Sequence, residues 1–329
     1  MKHRHFGNTD LEASEIGFGT WALGSDWWGE VTEADGERLL GLALELGVTF
    51  FDTGDAHGKG AFEALVGRVL APHRDDVQLS TKFGYDLAAG RRDHSEGERP
   101  QRWDKPFVKA AAEGSLGRLG TDRLDLFQLH NPRMDAVETE ECFEGLEELK
   151  AEGKIRQYGV ALGPAIGWKE EGLTAIEKRD IASVQTVYNL LEQEPGAELM
   201  ATAGEYGVGV MARVPTSSGL LDDNLTLETT FSGSDHRRHR KREWLVEGLQ
   251  KIDAIRFLCE DGSGRTMAQA ALRFILAQPQ IATVIPTITS EEELREYAGA
   301  SEVPELTDGE LARVGELYGR NFDVEPVEA

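Results

Sequence analysis

The segment from Val48 to Lys82 contains two short runs of β-branched and aromatic residues, VTFFDT at residues 48–53 and VQLSTK at residues 77–82. Between them, EALVGRVL at Glu63–Leu70 has the apolar spacing of an amphipathic helix. A strand, a helix and a second strand in this order predict two parallel strands joined by a crossover helix. The rest of the chain repeats this unit.

Further runs of the same kind predict strands at Leu124–His130, Ile155–Ala161, Ser183–Asn189, Gly209–Pro215, Ala282–Pro286 and, more weakly, near Ser301–Glu305. The intervening segments predict helices at Pro106–Leu119, Glu140–Ala151, Gly172–Arg179, Pro195–Tyr206, Glu243–Glu260, Thr266–Gln278 and Ser290–Ala298. Eight such units fill the chain from Val48 onward. The predicted fold class is therefore α/β, a (β/α)8 TIM barrel that forms a single domain over residues 1–329.

The N-terminal segment differs from this repeat. Phe6–Leu11 and Ala13–Phe18 predict two strands around a turn, a β-hairpin that caps the floor of the barrel. An open, doubly wound sheet is the rival architecture. No Gly-x-Gly-x-x-Gly follows the first predicted strand, which disfavours that rival.

The charge of the chain limits its partners. It carries 59 acidic residues against 35 basic ones, a net charge of −24, and only 11 of the basic residues are lysine. A nucleic-acid-binding surface needs the opposite sign, so a nucleic-acid partner is excluded. Because salt screens such self-repulsion, the composition favours a protein of a salt-rich, halophilic cytoplasm with an acidic proteome. An ordinary acidic enzyme is the alternative interpretation.

No stretch approaches the roughly 20 apolar residues of a membrane-spanning helix. The basic start Met1–Phe6 has no apolar region like that of a secretory signal. We therefore expect a cytoplasmic protein without a membrane partner, and the sequence indicates no oligomeric state.

Polar residues occur at or near the ends of several predicted strands. Asp52, Lys82 and His130 end three of them, Gln185 lies within a fourth, and Arg213 lies near the end of a fifth. The active sites of barrels lie at the carboxyl ends of the strands. A buried lysine is costly without a partner, and Asp52 is the obvious one. A structural ion pair is the alternative, but the addition of His130 favours a functional site.

Eight short motifs in chain order resemble those of the aldo-keto reductase family. Residues 51–58, FDTGDAHG, resemble the family motif FDTAxxYG. The other matches are GFGTW at 17–21, STK at 80–82, LHNP at 129–132, GKIR with GV at 153–160, Gln185 with YNLL at 188–191, Pro215 with GLL at 219–221, and VIP at 284–286.

The resemblance implies an oxidoreductase that uses NADP or NAD, with the preference unresolved, to interconvert a small aldehyde, ketone or sugar carbonyl and its alcohol. The catalytic residues implied are Asp52, Lys82 and His130, together with His57 at the position of the family's proton-donating tyrosine. Neighbouring Lys82 is expected to lower the pKa of His57. The cofactor-binding residues implied are Gly19, Thr20, Gln185, Arg213, Pro215, Gly219, Leu220, Pro286, Thr289, Ser290 and Glu296.

Two other positions depart from the family pattern. Ala161 and Leu162 stand where the family has the Ser-Asn pair that holds the nicotinamide amide, which leaves Gln185 for that role. Glu291–Glu293 follow Ser290 where NADP-preferring members have basic residues. Ser290 and Glu293 also fit a helix capping box, which is an alternative to any cofactor role.

Substrate contacts are expected from Trp21, Trp27 and Trp28 as an aromatic wall, and from Tyr85 as a second phenol. The basic segment 235–242 either attracts an anionic cofactor or begins a solvated helix.

Three alternative functions remain open at this stage. The first is a lyase or epimerase with His57 as a base, and the second is a non-catalytic barrel that senses a nucleotide or binds a partner. The third is a metal site of Asp52, His57 and His130. The charge of Lys82 opposes it, so no metal is expected.

Overall fold

The computed structural model describes residues 1–23, 28, 31–89, 99–163, 168–231, 233–260 and 262–325. A hairpin of β1 (His3–His5) and β2 (Glu12–Ser14) opens the chain. Eight parallel strands then form the sheet, and they are β3 (Phe18–Gly19), β4 (Phe50–Asp52), β5 (Gln78–Phe83), β6 (Leu124–His130), β7 (Ile155–Ala161), β8 (Ser183–Val187), β9 (Gly209–Arg213) and β10 (Ile281–Ile285).

Each strand pairs with the next in chain order, from β3 to β10. The barrel closes between its first and last strands through parallel bridges, Ile16 to Val284 and Gly19 to Thr287. A side chain at Gly19 would lie within 2.7 Å of Ile285, so this closure depends on a glycine. The predicted (β/α)8 barrel is confirmed.

The helices surround the sheet. They are α1 (Glu33–Glu45), α2 (Ala61–Leu70), α3 (Lys105–Leu119), α4 (Met134–Glu138), α5 (Glu140–Ala151), α6 (Lys169–Lys178), α7 (Gly196–Tyr206), α8 (Arg242–Ile255), α9 (Phe257–Glu260), α10 (Met267–Leu276), α11 (Glu291–Gly299) and α12 (Asp308–Gly319). Across the described ranges, no helix is long and apolar enough to cross a membrane.

Two strand predictions at the ends of the barrel were wrong. The first barrel strand is β3, rather than the one at Val48–Thr53. The sequence prediction therefore placed the start of the barrel one strand too late. No eighth strand forms at Ser301–Glu305. Ser301 is buried there, and its hydroxyl group donates to the buried carboxylate of Glu15 at 2.9 Å. This segment is a polar turn that fastens the C-terminal region to the hairpin.

The hairpin is present, but its bounds differ from the prediction. Phe6–Leu11 is the turn rather than a strand, and the backbone N–H of Phe6 donates to the carbonyl oxygen of Leu11 at 2.8 Å. Phe6 and Leu11 are fully buried, and both belong to an apolar cluster with Phe50 and Met211. Apolar residues that pack against the barrel from a turn resemble a strand in sequence, because both patterns reflect burial.

Candidate functional site

A buried ion pair lies where β4 and β5 end. The ammonium group of Lys82 lies 2.5 Å from Asp52 Oδ2 and also donates to the carbonyl oxygen of Thr53 at 2.7 Å. Lys82 and Asp52 are 3% and 5% exposed. Burial of two charges is tolerated when they pair and form further hydrogen bonds, as they do here.

Three neutral side chains donate hydrogen bonds to the Asp52 carboxylate. The hydroxyl group of Ser80 donates to Oδ1 at 2.8 Å, and the amide of Gln128 donates to the same oxygen at 3.4 Å. Gln185 Nε2 donates to Oδ2 at 3.2 Å. The structure therefore places the amide nitrogen of Gln185 on Asp52, which leaves its amide oxygen as the atom available to a ligand.

His57 follows β4 in a short 3₁₀ turn, and its backbone N–H donates to the carbonyl oxygen of Gly54 at 3.0 Å. Burial and the nearby charge of Lys82 lower the pKa of His57 to about 3. Its Nδ1 is buried without a hydrogen-bond partner. At neutral pH, His57 is therefore a neutral imidazole that carries one N–H and one acceptor nitrogen.

His130 ends β6 and faces His57 edge-on, with 5.6 Å between the ring centroids. Burial holds the pKa of His130 well below its usual range, and the nearby charge of Lys82 lowers it further. Tyr85 packs edge-on against the other side of His130 at 5.1 Å, and its phenol oxygen accepts a hydrogen bond from Asn131 Nδ2 at 2.8 Å. Both imidazoles are therefore neutral and lie side by side.

A cleft of about 390 Å³ opens above these groups at the carboxyl ends of the strands. Arg213, at the end of β9, reaches the cleft, and its Nε is buried without a hydrogen-bond partner. The Thr20 hydroxyl oxygen and Asn131 Oδ1 are likewise unpartnered there. Buried polar atoms without partners are uncommon, so this lining is typical of a site for a polar ligand.

The loop after β9 forms one wall of the cleft and has unusual backbone geometry. Val214, Ser217, Ser218 and Gly219 all adopt positive φ angles, 55° at Val214. Such a conformation in a β-branched residue costs about 1–3 kcal/mol. Asn189 Nδ2 supports it by donating to the carbonyl oxygen of Val214 at 3.0 Å. Backbone strain that neighbouring groups maintain is typical of ligand-binding loops.

An aromatic cluster lines part of the cleft. The rings of Trp21 and Trp28 lie 5.8 Å apart, and His236 packs against both at 5.3 and 5.8 Å. The guanidinium group of Arg237 lies 5.1 Å above the Trp28 ring. The basic segment 235–242 therefore contributes directly to the cleft, rather than only beginning a solvated helix.

The far end of the cleft is acidic. The Glu293 carboxylate accepts hydrogen bonds from the backbone N–H and the hydroxyl of Thr289, and from the backbone N–H of Ser290. Nearby, Asp222 accepts a hydrogen bond from the Tyr297 hydroxyl at 3.0 Å. Burial raises the pKa of Asp222 to about 7, with a further increase from the charge of Glu293.

Most of the residues expected at the site line this cleft. They are Gly19, Thr20, Trp21, Trp28, Asp52, His57, Lys82, His130, Gln185, Arg213, Pro215, Gly219, Pro286 and Thr289.

Four expected site residues lie elsewhere. Leu220 is packed in the core, Ser290 caps α11, Glu296 supports Gln269 through its carbonyl oxygen, and Tyr85 lies behind His130. None of these four lines the cleft. Trp27 falls outside the described residues.

Sequence reasoning did not select Asn131, Asp222, His236 or Arg237 as individual site residues, although all four line the cleft. Asn131 belongs to the LHNP motif, so its position beside His130 was the available signal. Asp222 follows the GLL motif directly and carried a similar signal. Within the ranges that the structure describes, no group of three or more His, Cys, Asp or Glu side chains is arranged to hold a metal ion.

Comparison with known proteins agrees with this fold. The family model described as "Aldo/keto reductase family" matches residues 15–318. The chain is 32% identical over 314 residues to the uncharacterized oxidoreductase YqkF of Bacillus subtilis, with 94% of each chain covered. It is 31% identical to the aldo-keto reductase YhdN of the same organism, over 85% of this chain and 82% of the relative.

Solved structures show the same relationship. The holo form of the aldo-keto reductase AKR11C1 from Bacillus halodurans superposes with a TM-score of 0.76 at 31% identity, and 96% of both chains is covered. The glycerol dehydrogenase AKR11B4 from Gluconobacter oxydans has a TM-score of 0.82 at 24% identity, over 99% of this chain and 98% of that one, which shows a shared fold.

The barrel, the motifs and these matches define an oxidoreductase of the (β/α)8 class. The chain belongs to the aldo/keto reductase family. The resemblance inferred from its motifs is thereby confirmed.

Proposed function

We propose that this protein is a nicotinamide-dependent oxidoreductase that interconverts a small aldehyde, ketone or sugar carbonyl and its alcohol. The observation that carries the proposal is the buried Asp52–Lys82 pair with His57 and His130, placed together at the base of one cleft. Positively charged and hydrogen-bonding groups in such a place stabilise charge that develops on a carbonyl oxygen.

The lining of the cleft fits a dinucleotide cofactor, which supplies a hydride when it is bound. The unpartnered Arg213 Nε suits a negatively charged group, and Arg237 and Arg240 line the cleft nearby. Asn131 Oδ1 is an unpartnered acceptor beside Ala161, whose carbonyl oxygen accepts from the Asn131 backbone N–H at 2.8 Å. Asn131 therefore lies next to the position where the family's amide-binding Ser-Asn pair is missing.

We propose further that NADH is preferred to NADPH. Glu293 occupies the N-terminus of α11 with its own carboxylate, and the carboxyl group of Asp222 lies nearby. A helix N-terminus attracts phosphate when its N–H groups are available. Here the Glu293 carboxylate accepts hydrogen bonds from the backbone N–H groups of Thr289 and Ser290, which directly precede the helix, and its charge would repel the additional phosphate of NADPH.

His57 has a restricted chemical role in this proposal. Because its pKa is about 3, it supplies no imidazolium proton at neutral pH. One N–H of the neutral ring can orient a carbonyl oxygen, as can that of His130. The same pKa makes His57 a weak base, which disfavours the alternative lyase or epimerase reaction.

The experiment is a screen of aldehydes, ketones and sugars with deuterium-labelled NADH or NADPH, with mass analysis of the alcohol products. A product that carries one deuterium on the former carbonyl carbon supports the proposal. Folded protein that binds either cofactor but labels none of these carbonyl classes would contradict it.

The excess of acidic residues also supports a salt-rich cytoplasm as the working environment. A net charge of −24 destabilises the compact chain by self-repulsion unless ions screen it.

A further inference from the structure

In the proposed hydride transfer, the carbonyl oxygen must gain a proton. The proton donor is not obvious from the site. His57 and His130 are neutral, and Arg213 does not release a proton in proteins. The phenol of Tyr85 is not part of the cleft lining. Asp52 is occupied as an acceptor of hydrogen bonds from Lys82, Ser80 and Gln185.

Lys82 is the remaining candidate at the base of the cleft. Its ammonium group has three hydrogens, and two of them are used by Asp52 Oδ2 and the carbonyl oxygen of Thr53. Among the residues that the structure describes, no third acceptor contacts Nζ, and Lys82 lines the cleft. An imidazole is shorter than a phenol, so His57 leaves a substrate room to approach this ammonium group.

We propose that the Lys82 ammonium group, rather than His57, donates the proton to the carbonyl oxygen. The inference rests on the proposed function. It assigns to Lys82 a direct catalytic role in place of the phenol that the family motif carries at the position of His57.

As the hydride passes from a C–H bond of the dihydronicotinamide, which breaks, to the carbonyl carbon, a new C–H bond forms and the π electrons of the carbonyl move to its oxygen. That oxygen takes a proton from Nζ, so one Nζ–H bond breaks and one O–H bond forms. The carbonyl is reduced, the dihydronicotinamide is oxidised, and the neutral amine regains a proton from solvent water.

The surroundings of Lys82 allow this transfer. Burial lowers its pKa, Asp52 opposes that change, Arg213 lowers the pKa further, and Asp55 opposes it. His57 and His130 also face the group and are neutral. The net result is an ammonium group that is a stronger acid than an exposed lysine.

The first test measures protonation directly and needs neither cofactor nor turnover. Lysines are isotope-labelled, the Lys82 resonance is assigned by its loss in Lys82→Met, and the wild-type protein is titrated by NMR. We expect Lys82 to titrate below the surface lysines. Titration together with the surface lysines, or above them, overturns the proposal even if the enzyme is active.

The second test follows carbonyl reduction against pH. Reduction by the wild type should be constant at low pH and fall as pH rises through the pKa of Lys82. His57→Gln should lower kcat but retain the same pH dependence. If His57→Gln abolishes that dependence while Lys82 titrates unchanged, His57 is the donor and the proposal is wrong.

The third test removes the transferable proton but keeps the charge. A guanidinium group stays protonated at working pH, so Lys82→Arg should lose about 10²–10⁴-fold in kcat, with cofactor affinity changed by less than about threefold. Lys59 is an exposed lysine in the same 3₁₀ turn as His57, so Lys59→Arg is the matched control and should be unaffected. Full activity in folded Lys82→Arg contradicts the proposal.

Chemical rescue separates proton transfer from a structural role. Small primary amines should restore part of the activity of Lys82→Ala, and the restored rate should vary with the pKa of the amine. Rescue that is independent of amine pKa, or produced equally by tetramethylammonium, indicates a charge effect and overturns the proposal. If wild-type enzyme binds the cofactor but shows no turnover, the proposed function is contradicted. The NMR titration still tests the acidity of Lys82 in that case.

Discussion

The carboxylate of Glu293 accepts hydrogen bonds from both the backbone N–H and the hydroxyl group of Thr289, at 2.7 and 2.8 Å. The Ser290 hydroxyl oxygen caps α11 by accepting a hydrogen bond from the backbone N–H of Glu293 at 3.2 Å. The chain thereby fills, with its own negative charge, a helix N-terminus that borders the cleft. The proposed preference for NADH rests on this local capping motif.

Glu293→Gln tests that link, because glutamine also serves in a capping box while the charge is lost. We expect the affinity for NADPH to rise roughly tenfold, equivalent to about 1.4 kcal/mol, and that for NADH to change little. Glu292→Gln removes an equal charge from an exposed neighbour and is the control. Equal NADPH dissociation constants in Glu293→Gln and wild type would rule out this role.

His57→Tyr should accelerate carbonyl reduction. The substitution places a phenol beside Lys82, where the positive charge lowers the phenol's pKa and makes it an effective acid. We expect kcat to rise about tenfold or more and its pH dependence to change. His57→Phe adds a ring of similar size without a hydroxyl group and is the control. An equal gain in both variants would point to packing rather than acid catalysis.

Asp222 should make stability depend on pH. Burial raises the pKa of Asp222 from 3.8 to about 7. Between these two pH values, the folded chain retains a proton that the unfolded chain has released. The stabilisation is therefore complete below about pH 4 and is lost as pH rises through about 7.

Asp222→Asn keeps an acceptor for the Tyr297 hydroxyl but cannot ionise. Relative to wild type, we expect its free energy of unfolding to increase by about 1–2 kcal/mol between about pH 5 and about pH 8. Denaturant unfolding at both pH values measures this. Asp223→Asn alters the exposed neighbouring carboxylate, which pairs with Arg256, and should not reproduce the effect.

Salt should stabilise the fold. Because the net charge is −24, we expect the midpoint of thermal unfolding to rise by several degrees between about 0.01 M and 2 M KCl, with most of the screening complete by roughly 0.5 M. Sucrose is excluded from protein surfaces but does not screen charge. It therefore separates stabilisation by exclusion from stabilisation by charge screening. A midpoint that is independent of KCl would remove the case for a salt-rich environment.

Much of the barrel could be predicted because buried parallel strands are continuous apolar runs. The bounds of β6 and β7, Leu124–His130 and Ile155–Ala161, match the sequence prediction. The first strand, Phe18–Gly19, was misassigned because two residues carry too little pattern to separate a strand from the preceding hairpin. Its place in the barrel depends on bridges to Val284 and Thr287, which are distant in the chain.

The residues of the site also fall into those that the sequence could predict and those that it could not. Asp52, Lys82 and His130 were selected because strand ends in a barrel converge and because a lysine in an apolar strand needs a partner. Asn131 and His236 depend instead on how loops fold over the mouth. The hydrogen bond from Gln185 to Asp52 depends on side-chain orientation across the barrel. The sequence carries no periodic signature of these loop positions or of this hydrogen bond.

The central claim is that the cleft above the Asp52–Lys82 pair binds a nicotinamide dinucleotide. It is tested most directly by titrating the folded protein in molar KCl with NADH and NADPH, following the tryptophan emission to which Trp21 and Trp28 contribute. The account predicts saturable quenching with energy transfer to the reduced nicotinamide, and tighter binding of NADH. The absence of saturable binding by either cofactor would contradict it.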